Sequence, residues 1–164
     1  MAFRAGVLTV SDAGSKGLRR DESGEVIKEV LSSCGIEIER YEVVPDEQEV
    51  IEARLRQWAD DVGVDLIVTT GGTGFGPRDV TPEATRAVLD REAPGLMVAI
   101  TVEGLKNTPL AMLSRGVAGA RGKTLIVNLP GSPKGVREAL QVLVPVLPHL
   151  LELLRGEASP HQLR

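Results

Sequence analysis

Short apolar runs alternate along this chain with longer segments whose apolar residues recur at helical spacing. Four segments have the apolar or alternating character of strands: 7–10, 36–44, 66–68 and 125–129. Five segments have the spacing or the start signals of helices: 26–34, 46–62, 81–92, one that begins at Pro94, and 132–154. Because strands and helices alternate, the pattern predicts a three-layer α/β/α fold around a mostly parallel central sheet.

The details of these segments carry further predictions. Segment 36–44 alternates in polarity, so we place it near an edge of the sheet. The final helix is expected to bend near Pro145 and Pro148, because proline lacks the N–H group that a helix interior needs. We predict a single domain over residues 1–156, followed by a polar tail at residues 157–164.

Composition narrows the class of protein. The 164 residues carry a net charge of −4 and only 2% aromatic residues, which gives no basis for a nucleic-acid surface. No apolar run approaches the ~18 residues of a membrane span, and the first residues lack a signal-peptide pattern. Cys34 is the single cysteine, so no internal disulfide is possible, and we expect it to be a small core residue. These features predict a cytoplasmic protein without a membrane partner.

The candidate chemistry lies in loops that follow strands. In an open α/β sheet, ligands bind outside the carboxyl ends of the strands. Polar or glycine-rich loops follow Val10, Thr70 and Leu129, and the first of them contains Ser11 and Asp12. If the strands are parallel, all three loops gather at one edge of the sheet, where we expect one shared site.

The loop after the third strand lies within the segment TTGGTGFGPRDVTPEAT, residues 69–85. Glycines remove side chains, so the backbone N–H groups of residues 71–74 can approach an anion closely, and Thr73 adds a hydroxyl. The loop lacks the Gly-Lys-Ser/Thr of a Walker A loop, and its third glycine is out of register with the dinucleotide fingerprint. A tight glycine turn without a ligand is the alternative interpretation.

Two aspartates stand close to these loops. Thr81 is expected to cap the next helix, so Asp79 is not needed as a cap, and a carboxylate beside an anion site is compatible with a bridging Mg²⁺. A turn-forming role, or a salt bridge to Arg78 or Arg86, is the alternative for Asp79. Asp46 also follows a strand, but it stands at a helix N-cap position, and that structural role competes with a catalytic one.

The loop NLPGSPKG, residues 128–135, ends the last strand and opens the last helix at Ser132. A helix N-terminus offers free N–H groups and a positive dipole end, which suit phosphate, and Lys134 adds a positive charge. A capped helix without a ligand is the alternative. The two histidines, His149 and His161, lie far along the chain from these loops, so a His-based triad or zinc site is not expected. The remaining groups suit phosphoryl or nucleotidyl transfer.

Several segments together resemble one family. TVSD, PDE, TTGGTGFGPRDVTPEAT and LSRGVAGARGKTLIVNLPGSPKG are similar to the molybdopterin adenylyltransferase family of molybdenum-cofactor biosynthesis, which includes the G domain of gephyrin. The resemblance covers residues 4–155. It implies a Mg²⁺-dependent transfer of AMP from ATP to the terminal phosphate of molybdopterin. It also implies a homotrimer that passes its product to a molybdenum-insertion enzyme.

The resemblance implies roles for individual residues. It gives Asp46 and Asp79 catalytic and metal-binding roles. It implies substrate binding by residues of the loops: Ser11, Asp12, Thr70, Gly71, Gly72, Thr73, Gly74, Thr81, Ser114, Pro130, Gly131, Ser132 and Lys134. A non-catalytic molybdopterin-binding relative of the same pathway is the alternative, and the presence of both aspartates favours the active enzyme. A generic anion-binding α/β domain with an unrelated ligand is the third possibility.

Overall fold

The structure is a computed structural model that describes residues 2–157. Its six strands form one sheet in the order β2-β1-β3-β6-β5-β4. The strands are β1 (Arg4–Val10), β2 (Glu37–Val44), β3 (Leu66–Thr70), β4 (Arg91–Glu92), β5 (Ala118–Arg121) and β6 (Thr124–Leu129). The pairs β2-β1, β1-β3 and β3-β6 are parallel, and the pairs with β5 are antiparallel. The mostly parallel sheet and the edge position of β2 are therefore confirmed.

In the described part of the chain, seven α-helices surround the sheet. They are α1 (Asp12–Ser15), α2 (Glu22–Ser33), α3 (Gln48–Arg56), α4 (Thr81–Val88), α5 (Pro94–Leu105), α6 (Pro133–Leu143) and α7 (Leu147–Arg155). A π-helical segment, Gln57–Val62, continues α3, and a 3₁₀ helix, Pro109–Leu113, follows α5. Among residues 2–157, no helix combines the length and the apolar composition that crossing a bilayer requires.

Two buried clusters lie on opposite faces of the sheet and make the fold three-layered. On β1, Val7 contributes to one cluster and Leu8 to the other, as the alternation of side chains along a strand requires. Helices α2, α5, α6 and α7 pack on the face of Val7, and α3 and α4 pack on the face of Leu8. Strands β1, β3 and β6 are buried on both faces, which explains their continuous apolar character in the sequence.

The structure corrects three expectations about individual elements. The final helix is not one bent helix but two, because α6 ends at Leu143, before Pro145, and Pro148 stands in the first turn of α7. Cys34 is exposed at the C-terminal end of α2 and is not a core residue. Strand β5 escaped prediction because its residues, AGAR, have no β-branched member. The predicted polar tail begins at Glu157, and residues 158–164 lie outside the described part of the chain.

Candidate functional site

Three loops meet at the carboxyl edge of the parallel strands. Thr9 of β1 pairs with Thr70 of β3, and Thr70 pairs with Leu129 of β6, so the three strands end at the same level. The loops line one cavity of about 600 Å³. Seven of the residues implied by the sequence are on its wall: Ser11, Asp46, Thr70, Gly71, Gly72, Asp79 and Gly131. The edge therefore brings together residues that lie up to 120 positions apart in the sequence, counted from Ser11 to Gly131.

The glycine loop needs its first two glycines for conformational and steric reasons. Gly71 and Gly72 have φ angles of 94° and 71°, in the region that side chains rarely adopt. A Cβ on Gly71 would collide with the carbonyl oxygen of Val10, and a Cβ on Gly72 would collide with Thr81 Oγ1. Glycine at these positions lets the loop turn sharply and pass close to the end of β1 and the start of α4.

Thr81 anchors the glycine loop rather than capping α4, which corrects the prediction. Val80 occupies the N-cap position, and Thr81 is the first helical residue and fully buried. Its hydroxyl donates to the carbonyl of Gly71 (2.9 Å), and its N–H donates to the carbonyl of Gly72 (3.1 Å). Thr81 thus joins the glycine loop to the start of α4, and it does not line the cavity.

Asp46 is held by Asp12 and does not cap α3, which corrects the second capping prediction. Glu47 occupies the N-cap position of α3, and no side chain caps that helix. Asp46 Oδ2 accepts a hydrogen bond from the backbone N–H of Asp12 (2.8 Å), and the N–H of Asp46 donates to Asp12 Oδ1 (2.9 Å). Burial raises the pKa of the Asp46 carboxyl, the charges of Asp12 and Asp79 add to this, and the bond from Asp12 opposes it.

The surroundings of Asp79 resolve the alternatives that the sequence left open. Asp79 Oδ2 accepts a hydrogen bond from Gly76 N–H (2.9 Å), so the residue does form a turn. The alternative salt bridges are wrong: Arg78 pairs with Asp12 at 3.0 Å, and Arg86 pairs with Glu92 at 3.5 Å. Asp79 nevertheless lines the cavity together with Asp46, so its turn role leaves its carboxylate available to a ligand.

Two of the aspartates on the cavity wall, Asp46 and Asp79, fit a divalent cation. Within residues 2–157, Asp46 Oδ1 and Asp79 Oδ1 accept no hydrogen bond from the protein. A Cβ on Gly72 would lie 3.2 Å from Asp46 Oδ1, and a Cβ on Gly74 would lie 3.0 Å from Asp79 Oδ2, so the glycines leave room beside both carboxylates. Mg²⁺ commonly takes one or two carboxylates and completes its shell with water and substrate phosphate. The described residues contain no cluster of three or more candidate metal ligands, so a cation here would depend on such a partial site.

Several other predicted residues lie off the wall of this cavity. Ser114, Pro130 and Ser132 line a neighbouring cavity of about 280 Å³ between α5, the 3₁₀ helix and α6. Ser132 also caps α6, because its Oγ accepts from Gly135 N–H (3.0 Å). The Pro130–Ser132 turn separates the two cavities, since Gly131 faces the larger one. The remaining predicted residues line neither cavity: Asp12, Thr73, Gly74, Thr81 and Lys134.

Sequence reasoning missed part of the cavity wall. Arg19, Arg20 and Asp21 line it, and both arginines are exposed. Asp21 caps α2 by accepting from Gly24 N–H (2.9 Å), and it also accepts from the Thr9 hydroxyl (2.7 Å). The run RRD before a helix is the signal that was available, because Asp21 is a capping residue type and the two arginines before it place positive charge in the loop that follows the first strand.

These features define a class of protein. It is a three-layer α/β protein whose parallel strands carry, at their carboxyl edge, a cavity lined by a glycine loop, two arginines and several carboxylates, Asp46 and Asp79 among them. The family model described as "Probable molybdopterin binding domain" matches residues 6–149. The chain belongs to this family.

Known relatives place the chain within the family. It is 46% identical over 153 residues to the molybdopterin adenylyltransferase of a Helicobacter pylori strain, covering 92% of this chain and 87% of that protein. It is 44% identical over 155 residues to the molybdenum cofactor synthesis protein cinnamon of Drosophila melanogaster; the match covers 94% of this chain but only 26% of that longer relative. The crystal structure of the molybdopterin biosynthesis enzyme MoaB from Thermus thermophilus superposes with a TM-score of 0.89 at 58% identity, covering 94% of this chain and 97% of that one.

Proposed function

We propose that this protein is a molybdopterin adenylyltransferase, which transfers AMP from ATP to the terminal phosphate of molybdopterin and releases pyrophosphate. One observation carries the proposal. Asp46 and Asp79, from loops after different strands, line the same cavity as the glycine loop, and each keeps a carboxylate oxygen without a protein partner within residues 2–157. The adenylyltransferase name of the Helicobacter pylori relative, at 46% identity, supports the assignment.

The proposed chemistry needs no nucleophile from the protein. An oxygen of the molybdopterin phosphate, already anionic at neutral pH, attacks the α-phosphorus of ATP. The bond between the α-phosphorus and the oxygen that bridges it to the β-phosphorus breaks, and its electron pair leaves with pyrophosphate. The protein's tasks are then to align the two phosphates and to neutralise their charge. The N–H groups of the glycine loop and the side chains of Arg19 and Arg20 are suited to these tasks.

We propose that Asp46 and Asp79 bind Mg²⁺ through their free oxygens. Held there, Mg²⁺ would offset the negative charge of the ATP phosphates and of the leaving pyrophosphate. The carboxylates themselves repel a polyanion, so without a cation they would weaken ATP binding. The two aspartates are therefore cation ligands rather than general bases, in agreement with a nucleophile that needs no deprotonation.

We assign the two cavities to the two substrates. The larger one, with the carboxylates and arginines, suits the ATP phosphates. The smaller one has apolar walls at Met97 and Ile100 and hydroxyls at Ser114 and Ser132, which suit a flat polar heterocycle such as the pterin. The Pro130–Ser132 turn lies between them, where the molybdopterin phosphate would meet the α-phosphate of ATP.

We further propose that the protein is a cytoplasmic homotrimer that hands its product to a molybdenum-insertion enzyme. A contact between copies is supported by one apolar surface, the α5 face, which consists of the outward residues of α5 and the following 3₁₀ helix, and the number of three copies is what the family resemblance implies. Ile100 is the one buried residue of α5, whereas Val98 is 62% exposed and Val102 is 56% exposed. Leu110 and Met112 continue the surface at 68% and 62% exposure. Such a patch is typical of a protein contact.

The direct test measures pyrophosphate release from ATP and molybdopterin in the presence of Mg²⁺. Asp79→Asn keeps an oxygen that accepts from Gly76 N–H but removes the charge, so we expect roughly 100-fold slower release with normal folding. Asp90→Asn is the matched control, because Asp90 Oδ2 likewise accepts a glycine N–H, that of Gly122 (2.7 Å), away from the cavity. Tight molybdopterin binding without ATP consumption would instead identify a binding protein. Absence of molybdopterin binding at micromolar concentration would point to an unrelated anion.

A further inference from the structure

Arg115 is joined to the glycine loop and to α4 by five hydrogen bonds. Its backbone N–H donates to the carbonyl of Thr73 (2.8 Å), and Nε donates to the carbonyl of Gly74 (2.8 Å). Nη2 donates to the carbonyl of Asp79 (2.9 Å). Nη1 and Nη2 also donate to the two carboxylate oxygens of Glu83, at 2.6 and 3.3 Å. One side chain therefore reaches both ends of the 74–79 segment and the first turn of α4.

These contacts hold the two ends of the 74–79 segment, Gly74 and Asp79, next to each other. The segment between Gly74 and Asp79 extends into solvent, and Phe75 at its tip is 73% exposed. Within it, Asp79 is tied to Gly76 by two hydrogen bonds, one from the Gly76 N–H to its carboxylate and one from its own N–H to the Gly76 carbonyl (3.0 Å). The turn around Asp79 is therefore stiff, and Arg115 fixes where this turn stands relative to the sheet.

We propose that Arg115 is a positioning residue for the transfer reaction, which holds the Asp79 carboxylate at its place in the cavity through the carbonyls of Gly74 and Asp79. The inference rests on the proposed function, and it adds a residue that does not line the cavity itself. A displacement of about 1 Å in a reacting group is enough to slow catalysis about 100-fold, so a residue that sets the position of Asp79 affects rate without touching substrate.

The chemistry of arginine explains why this position needs it. The guanidinium is planar and carries five N–H donors in a fixed fork, so it can serve two carbonyls and a carboxylate at once. A lysine has the same charge but a single nitrogen, which cannot span the carbonyls of Gly74 and Asp79. Glu83 accepts from Nη1 and Nη2, and it takes no part in the two hydrogen bonds from Arg115 to the carbonyls.

The test compares Arg115 with a matched arginine elsewhere. Arg121 binds Asp60 through two hydrogen bonds (3.0 and 2.8 Å) and the carbonyl of Val88 (2.8 Å), and its side chain is 23% exposed against 25% for Arg115. Arg115→Ala and Arg115→Lys are expected to lower kcat by roughly 10- to 100-fold and to raise the Mg²⁺ concentration for half-maximal rate, with the KM for molybdopterin nearly unchanged. Arg121→Ala is expected to lower the Tm about as much as Arg115→Ala does, but to leave kcat unchanged.

A readout independent of activity is hydrogen exchange of the amides in residues 73–79. We expect faster exchange there in Arg115→Lys, which keeps the charge and the stem, and unchanged exchange there in Arg121→Ala. Glu83→Gln is expected to have a smaller effect than either Arg115 variant. The proposal is overturned if the Arg115 variants keep wild-type kcat and Mg²⁺ dependence, or if exchange in 73–79 is unchanged. An inactive wild-type protein would overturn the proposed function instead, and the exchange experiment would still decide whether Arg115 positions the loop.

Discussion

Asp12 and Asp46 hold each other by reciprocal hydrogen bonds, in which the backbone N–H of each donates to the carboxylate of the other, at 2.8 and 2.9 Å. The pair joins the end of β1 to the end of β2. Arg78, from the glycine loop, adds two bonds to the Asp12 carboxylate at 3.1 and 3.0 Å. Both Asp12 oxygens are thus occupied, whereas Asp46 faces the cavity with one oxygen free of partners from residues 2–157. The structure therefore distinguishes a supporting aspartate from one that is available to a ligand.

Asp46→Asn is expected to abolish transfer and to raise stability at neutral pH. Burial raises the pKa of Asp46 above the ordinary value of 3.8, so the folded chain binds this proton more tightly than the unfolded chain does. The contribution of Asp46 to stability is therefore present below pH 3.8 and is lost as the pH rises from there through its folded pKa. Asparagine removes that loss while its oxygen still accepts from Asp12 N–H. Because the side chain is partly solvated, the gain is at most about 1 kcal/mol, or roughly 2–4 °C in Tm.

The measurement is thermal unfolding of the variant and the wild type at pH 7 and near pH 3. The difference in Tm should be present at pH 7 and small at pH 3, where the carboxyl is protonated in both states. Asp60→Asn is the control of opposite sign, because the hydrogen bonds from Arg121 lower the pKa of Asp60, so its ionised form stabilises the fold above that pKa and its loss lowers the Tm at pH 7. A lower Tm for Asp46→Asn at pH 7 would contradict the argument.

Gly72→Ala is expected to destabilise the protein by about 2 kcal/mol and to slow transfer strongly. An alanine at this position would have to adopt a positive φ of 71°. Its Cβ would collide with Thr81 Oγ1 and lie 3.2 Å from Asp46 Oδ1. Gly122→Ala separates the two effects, since Gly122 has a φ of 56° and nothing within 4 Å of its Cβ. It should show the conformational strain alone, about 1 kcal/mol, with normal activity. Chemical denaturation measures the stability of both variants, and initial rates measure their activity. Equal losses of stability and of activity in the two variants would contradict the predicted steric effect at Gly72.

The order of elements was predictable because burial on both sides gives strands a continuous apolar character. β1, β3 and β6 could be found in this way, and their parallel pairing followed from the helices between them. The grouping of Asp46, Asp79 and the glycine loop at one edge followed from the same topology. The sequence did not predict β5 or the short helix α1, and the helix predicted over 81–92 was too long, because α4 ends at Val88 and β4 follows at Arg91–Glu92.

The capping predictions failed because two side chains bind groups in other loops instead of the N–H groups of their own helices. Asp46 has the residue type of an N-cap but binds the N–H of Asp12, 34 positions away in sequence. Thr81 likewise binds the carbonyl of Gly71 rather than the N–H groups of its own helix. A local pattern has no information about such partners, which depend on the tertiary approach of two loops. Arg115 was missed for the same reason, since its contacts lie 32 to 42 positions away, from Glu83 to Thr73.

The double substitution Arg19→Gln, Arg20→Gln is expected to weaken ATP binding about 3- to 10-fold, which corresponds to roughly 1 kcal/mol. Both residues line the cavity and are exposed, and no ion pair within residues 2–157 involves either of them, so their charges are available to phosphate. The effect should shrink as salt rises, because exposed charges are screened. Calorimetric titration with ATP and Mg²⁺ at two salt concentrations measures it. Arg137→Gln, an exposed arginine on α6 with a 3.9 Å pair to Glu29, is the control. Unchanged affinity at low salt would remove these arginines from the site.

Val98→Asp with Val102→Asp is expected to convert the proposed homotrimer into monomers. Both side chains are more than half exposed on α5, so the change does not disturb the core of one chain, but it places two charges in any contact that covers this face. Light scattering during gel filtration should give three times the 17.5 kDa chain mass for the wild type and the single mass for the variant. Leu18→Asp, at a 77% exposed position in a different part of the surface, should leave the mass unchanged.

Because Leu110 belongs both to this face and to the wall of the smaller cavity, dissociation should also weaken molybdopterin binding. A wild-type protein that is monomeric at high concentration would contradict the proposed assembly.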